Sequence, residues 1–314
     1  MTIARRRLAD LEQPLWAHCI LRTVRQARVV TPQTIAYRLP WIIGRLQHLG
    51  TFTTCDVAAY AILEGSVHLV VRCDPPAAEA LSEAEVVRRW AQVFPGVRAT
   101  PANEWSAQHG PDDLASRIED VQRDRENRSA QRQQLGAMAS FMRAFAEALG
   151  RRINRDDGCR GHFWDGRYRS FFLLDPPAIL AAMVYLDLAA WRHHLAPEPT
   201  TSVQTSLGLR LGRSEPAAAW LYPVTALGTT LTHDDYRALL RGTLKILDGS
   251  RKDDARVRTL VESLGLDCER WIAVMRAERQ MENGILGLPD SCRAEAERRQ
   301  RSWVRSPCPL FARR

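Results

Sequence analysis

No stretch of the 314-residue chain approaches the roughly 18 consecutive apolar residues that a membrane-crossing helix needs. The basic opening, MTIARRRLADLEQPLW, lacks the apolar centre of a signal peptide. Paired cysteines are missing too. The seven thiols (residues 19, 55, 73, 159, 268, 292 and 308) are odd in number and none forms a CxxC pair. That excludes a disulfide framework and a zinc knuckle and fits a reducing compartment. Internal repeats are also absent. The expectation is a soluble, cytoplasmic protein with no membrane partner.

What is present is ordinary globular composition, 45% hydrophobic and 25% charged, with a surplus of positive charge. Forty-four basic residues face 36 acidic ones, for a net charge of +8. The basic residues are mostly arginine and they cluster. This favours a polyanionic partner, because the planar guanidinium fork donates two bonds to one phosphate or base edge.

Along the chain, WAHCILR predicts a first strand. Trp16, His18, Ile20 and Arg22 fall on one side of it, and Arg22, Arg25 and Arg28 make a basic rim at its end. Ile35, Leu39, Ile42, Ile43, Leu46 and Leu49 have helical spacing, with the helix proper starting near Pro40. DVAAYAILEGSVHLVVRC, residues 56–73, reads as two apolar strands joined at a polar break, with His68 in the second. Ser82 and Glu85 make a capping box before a helix. Residues 96–128 read as loop and then charge, anchored by Trp105. One long helix is expected over about Ser129–Ile153. Asp175 and Pro176 open another that runs through His194, and Thr232 with Asp235 caps the first helix of a helical C-terminal part. The expected organisation is an α+β domain over 1–195, a connection over 196–230 and a helical domain with a basic tail over 231–314.

The stretch GCRGHFWDGRYRS, residues 158–170, interleaves Arg160, Arg167 and Arg169 with His162, Phe163, Trp164 and Tyr168. Such a mixture suits unpaired nucleic acid, since arginine neutralises phosphate and aromatic rings stack on bases at about 1–3 kcal/mol each. The alternative is an ordered loop whose rings plug the core and whose arginines are solvated. The candidate DNA-binding residues are Arg22, Arg25, Arg160, Trp164, Arg167, Tyr168 and Arg169.

FWDGRYRSFFLLDPPAILAAMVYLDLAAWR, together with AHCILRTVRQA, WIIGRLQHLGTFTTCDVAAYAILEGSVHLVV, EVVRRWAQVF and FMRAFAEALGRRINRDDGCRGHFW, resembles the HUH-type single-tyrosine transposases. The similarity is greatest to the REP-associated tyrosine transposases and covers most of the chain. The resemblance implies a ferredoxin-like antiparallel sheet with packed helices, extended here by the C-terminal helical region. It implies two histidines two residues apart on a strand, holding a divalent metal such as Mg or Mn. It also implies a tyrosine on the long helix that attacks a DNA phosphate. Carried over, His68 matches the second histidine, Ser66 stands at the first, and Ala148 and Leu149 occupy the place of the tyrosine. Serine is a poor substitute for imidazole on such an ion. No tyrosine lies between Tyr60 and Tyr168. His68 is thus the remnant of a metal site, no catalytic residue is assigned, and no cofactor is expected.

The resulting expectation is a transposase-like protein that binds single-stranded or hairpin DNA, with a second copy of itself as a further partner, and has lost strand cleavage and joining. The alternatives are an active metal-dependent transposase using displaced residues, and a protein-interaction or decaying gene product. His18 on the first strand could face His68, but a lone histidine on a mixed face is more often structural.

Overall fold

The computed structural model describes residues 13–94, 111–195, 202–211, 219–282, 284–304 and 308–311; Arg5, Arg6, Arg7 and Trp105 lie outside them. The protein is α+β. Its strands are β1 (Leu15–Arg22), β2 (Cys55–Ile62), β3 (Ser66–Cys73), β4 (Arg169–Leu173) and β5 (Ile285–Leu286). The helices are α1 (Ile35–Phe52), α2 (Pro75–Glu79), α3 (Glu83–Val93), α4 (Pro111–Arg123), α5 (Arg128–Leu135), α6 (Met138–Asp156), α7 (Pro176–Asp187), α8 (Ala189–Arg192), α9 (Leu207–Leu211), α10 (His233–Leu247), α11 (Ala255–Ser263), α12 (Cys268–Arg276) and α13 (Pro289–Arg298).

The sheet order is β2-β3-β1-β4-β5. The two longest helices, α1 and α6, fall between β1 and β2 and between β3 and β4. The first four strands therefore have the β-α-β-β-α-β order of a ferredoxin-like sheet. The three-residue link Leu63–Gly65 leaves room only for an antiparallel β2–β3 hairpin, closed by the Leu63 N–H on the Ser66 carbonyl at 2.8 Å. β4 runs antiparallel to β1, with His18 opposite Phe171. β5 departs from the expected all-antiparallel sheet, because it pairs parallel to β4 through Phe172–Ile285 and Leu173–Leu286. A parallel neighbour needs a long crossover, which the helices after β4 supply.

The chain divides into two compact units. One holds residues 1–15, 21–56 and 72–168, and the other holds residues 16–20, 57–71 and 169–314. In the first unit, α1 begins before Pro40, not at it. The Thr31 N–H donates to Thr34 Oγ1 at 2.8 Å and the Ile35 N–H to the Thr31 carbonyl at 2.9 Å, which fixes the first turn upstream. The single helix expected over 129–153 is two. α5 ends at Gly136, where the Leu135 carbonyl accepts the Thr54 N–H at 3.0 Å. A Cβ at Gly136 would lie 2.9 Å from Ala78 Cβ and 3.0 Å from Pro75 Cα, so the close approach requires glycine. The charged stretch after residue 110, which carried no assigned element in the sequence, forms α4. Ser82 caps α3 through the Glu85 N–H, while the Glu85 carboxylate takes Arg88 and Arg89.

The second unit is built around α7, whose residues from Pro177 to Asp187 are all buried. Asp175 caps it through the Ala178 N–H, and its other oxygen accepts the Leu288 N–H at 2.7 Å. Thr232 and Asp235 form the complete capping box of α10. The core joins α7 with apolar side chains of α10, α11 and α12, such as Leu239, Val257 and Trp271. Part of the stretch expected as a connection lines the outer edge of β2. The Ile62 N–H meets the Gln204 carbonyl at 2.7 Å, the Ser206 N–H meets the Tyr60 carbonyl at 3.1 Å, and the Tyr222 N–H meets the Val57 carbonyl at 2.9 Å. Covering an edge in this way occupies backbone groups that would otherwise be open to another chain.

Candidate functional site

Two places concentrate the residues singled out by the sequence, one in each unit. In the first unit, the end of β1 is tied to the turn after α6. The Val24 N–H donates to the Phe163 carbonyl at 3.0 Å, the Asp165 N–H to the Arg22 carbonyl at 2.7 Å, and Thr23 bridges Trp164. This zipper brings the rim of β1, with Arg22 half-buried and Arg25 exposed, beside a turn on which Arg160 and Arg167 are exposed. Gly158, Gly161 and Gly166 all have positive φ, which gives the turn its tight reversals.

The rings of this turn serve packing. Trp164 donates its Nε1–H to the Ala146 carbonyl at 2.8 Å and meets Phe163 edge-on at 4.7 Å between centroids. Gly150 lets it approach, since a Cβ there would lie 3.2 Å from Trp164 Nε1. Tyr168 is 9% exposed. What the turn offers solvent is therefore the guanidinium groups of Arg160 and Arg167, the exposed His162 and Cys159 and the carboxylate of Asp165, not a stacking platform. Two nearby carboxylates at the end of α6, Asp156 and Asp157, are held by the buried Arg38 of α1. Arg152 covers the Trp41 ring at 4.5 Å. On α6, Leu149 is buried and Ala148 half-buried, so neither expected nucleophile position carries a reactive group.

In the second unit, exposed Arg169 begins β4, and the histidine question is answered by geometry. The sheet order sets β1 beside β3, and His18 Nε2 lies 3.2 Å from His68 Nδ1. His18 Nδ1 lies 3.1 Å from the Met281 carbonyl, and Ser66 Oγ lies 3.0 Å from His68 Nε2. His18 is wholly buried and His68 is 7% exposed. Burial pushes His18 down to about 4, opposed by the bond to Met281 and reinforced by the charge of Arg192, so the ring is neutral at pH 7.

The proton positions follow from the partners. A carbonyl only accepts, so the His18 proton sits on Nδ1 and points at Met281. His18 Nε2 is then an acceptor, and His68 must donate to it from Nδ1. With a neutral His68 ring, Nε2 is left to accept from the Ser66 hydroxyl. The result is one directed chain from Ser66 through His68 and His18 to Met281.

This donor set does not fit the divalent metal implied for the family. Serine replaces one imidazole and engages the second nitrogen of the other. Among the described residues no group of three or more His, Cys, Asp or Glu side chains could hold an ion.

Two residues of the segment resembling the transposases turn out to be buried anchors. Asp187 is fully buried and accepts bonds from Ser206 Oγ and, at 2.8 Å, from Tyr236 Oη; Arg210 lies 3.4 Å away. Burial raises its carboxyl above the usual range, and Arg210, Ser206 and Tyr236 oppose that rise. Arg192 donates to the Met275 carbonyl at 3.0 Å and to the Tyr185 carbonyl, and lies 3.8 Å over the Tyr185 ring. Its desolvation lowers it to about 10.

No helix among the described residues is long and apolar enough to cross a membrane. No protein-family model, curated protein or solved structure significantly matches the chain.

Proposed function

We propose that the chain is a transposase-like DNA-binding protein that holds single-stranded or hairpin DNA and does not cut it. The observation that carries the reading is the zipper between β1 and the turn after α6. It gathers Arg22, Arg25, Arg160 and Arg167 at one rim of one unit, in a chain of net charge +8. Guanidinium groups carried on a shared backbone frame, with Arg25, Arg160 and Arg167 exposed, suit successive phosphates, and each neutralised phosphate releases counterions. The β-α-β-β-α-β order is the frame that the resemblance implies. The absence of cleavage rests on Ser66, Ala148 and Leu149, which stand where a metal-ligating imidazole and a nucleophilic phenol are expected.

The test is binding of a labelled DNA hairpin over a salt series, with Mg or Mn present in one arm. The expected result is affinity that falls steeply with salt and no covalent protein–DNA adduct in either arm. Flat affinity between 50 and 200 mM salt would remove the phosphate-contact argument. A covalent adduct would instead establish an active strand-transfer enzyme.

A further inference from the structure

The Ser66–His68–His18 chain has a use that DNA binding does not require. A serine hydroxyl becomes a nucleophile when an imidazole accepts its proton and a third group holds that imidazole in the correct tautomer. All three conditions are met in the second unit. Ser66 Oγ lies 3.0 Å from His68 Nε2, within reach of a general base. His68 Nδ1 lies 3.2 Å from His18 Nε2, and His18 is itself oriented by the Met281 carbonyl at 3.1 Å. Both rings are buried, which prevents water from competing for these bonds. Ser66 is half-buried at the start of β3, next to exposed Glu64 and Gly65 and on the outer side of the two buried rings.

We propose that Ser66 is a nucleophile activated by His68, with His18 as the positioning residue, and that the site accepts small activated carboxylic esters. The small size follows from the buried His68 and His18 rings behind the hydroxyl, which leave no depth for a larger acyl group on that side. In the first step Ser66 Oγ forms a bond to the ester carbonyl carbon while its proton passes to His68 Nε2. The carbon–oxygen bond to the leaving alcohol then breaks, and His68 returns the proton to that alcohol. Water, deprotonated by the same nitrogen, hydrolyses the acyl-serine and restores the free hydroxyl. His68 keeps its Nδ1 proton throughout, and the lone pair on His18 Nε2 stabilises the transient imidazolium.

The experiment uses the full chain with two reagents, diisopropyl fluorophosphate and p-nitrophenyl acetate, with EDTA present or absent. The phosphofluoridate transfers its phosphoryl group to Ser66 Oγ with loss of fluoride. Peptide mass mapping should find the adduct on the residue 66 peptide, and Ser66→Ala should abolish it. His68→Gln should slow the labelling and the nitrophenol burst by at least about 100-fold, within the range of a lost general base. His18→Phe should slow both by on the order of 10²-fold or more, and His18→Gln, which keeps an acceptor toward His68, should restore part of the rate. A purely structural role for His18 would give no such ordering. Circular dichroism establishes that each variant folds. Should His68→Gln unfold, Ser66→Cys takes its place, and its thiol should be alkylated by iodoacetamide well below the ordinary thiol range of about 8.5. The proposal is overturned by no adduct, by an adduct only at other residues, by equal labelling of His68→Gln, by an ordinary Ser66→Cys thiol, or by labelling that disappears with EDTA.

Discussion

His18 makes the folded state sensitive to acid, and the size of the effect can be worked out. The buried ring titrates at about 4 in the folded protein, against an ordinary value of 6.5. Between those two values the unfolded chain binds a proton that the folded chain refuses. The stability contributed by the neutral ring is present at pH 7 and is lost as pH falls through 6.5 towards 4. At about 1.4 kcal/mol per tenfold difference, the full swing is about 3 kcal/mol, and roughly 2.5 kcal/mol of it has gone by pH 4.5. That is a large share of the 5–15 kcal/mol typical of a domain. The assay is urea unfolding of the wild-type chain and His18→Gln at pH 7.5 and 4.5. At pH 7.5 the variant should be less stable by about 1–3 kcal/mol, because an amide that keeps its acceptor on the His68 N–H no longer donates to the Met281 carbonyl. At pH 4.5 the gap should close by about 2 kcal/mol, since only the wild type suffers from the histidine proton. An equal loss in both proteins on acidification would refute the buried neutral ring. Comparing the two proteins removes contributions from other groups, including Asp187.

Three further outcomes follow from particular contacts. Gly136→Val should lower stability by about 1–3 kcal/mol in thermal unfolding, because its side chain enters space held by Ala78 and the Pro75 backbone. Arg210→Met should cost about 3–5 kcal/mol by denaturant unfolding, since buried Asp187 loses the cation that favours its charged form and the Ala58 carbonyl loses its donor. Trp164→Phe should reduce stability by about 1–3 kcal/mol, as the Ala146 carbonyl loses its donor, while leaving hairpin affinity unchanged. A loss of affinity with unchanged stability would instead make Trp164 a stacking residue.

Local chemistry was legible in the sequence wherever it is self-contained. The β2–β3 hairpin follows from two apolar runs and the polar break at Glu64–Gly65. The starts of α7 and α10 follow from Asp175 with Pro176 and Thr232 with Asp235, where cap and helix lie within four residues. What long-range contacts decide was not legible. The helical periodicity runs straight through Gly136, and only the approach of Pro75 and Ala78 breaks it. Ser206 and Arg210 look like residues of a connection, yet both are buried because Asp187 draws them in. That His18 could face His68 was open from the sequence, but the Met281 carbonyl that orients His18 lies 263 residues away and was not legible. The rings of Trp164 and Tyr168 have the composition of a base-stacking surface, but Ala146 and Gly150, 18 and 14 residues upstream of Trp164 on α6, take the indole.

The Arg22–Arg25–Arg160–Arg167 rim is proposed to contact DNA phosphates. The most direct measurement is the slope of log affinity against log salt for a DNA hairpin, compared between the wild-type chain and Arg160→Ala with Arg167→Ala. Two lost phosphate contacts should flatten the slope by about 1.4 to 1.8 and weaken binding similarly for hairpins of different sequence. An unchanged slope and affinity in the double variant would contradict the account.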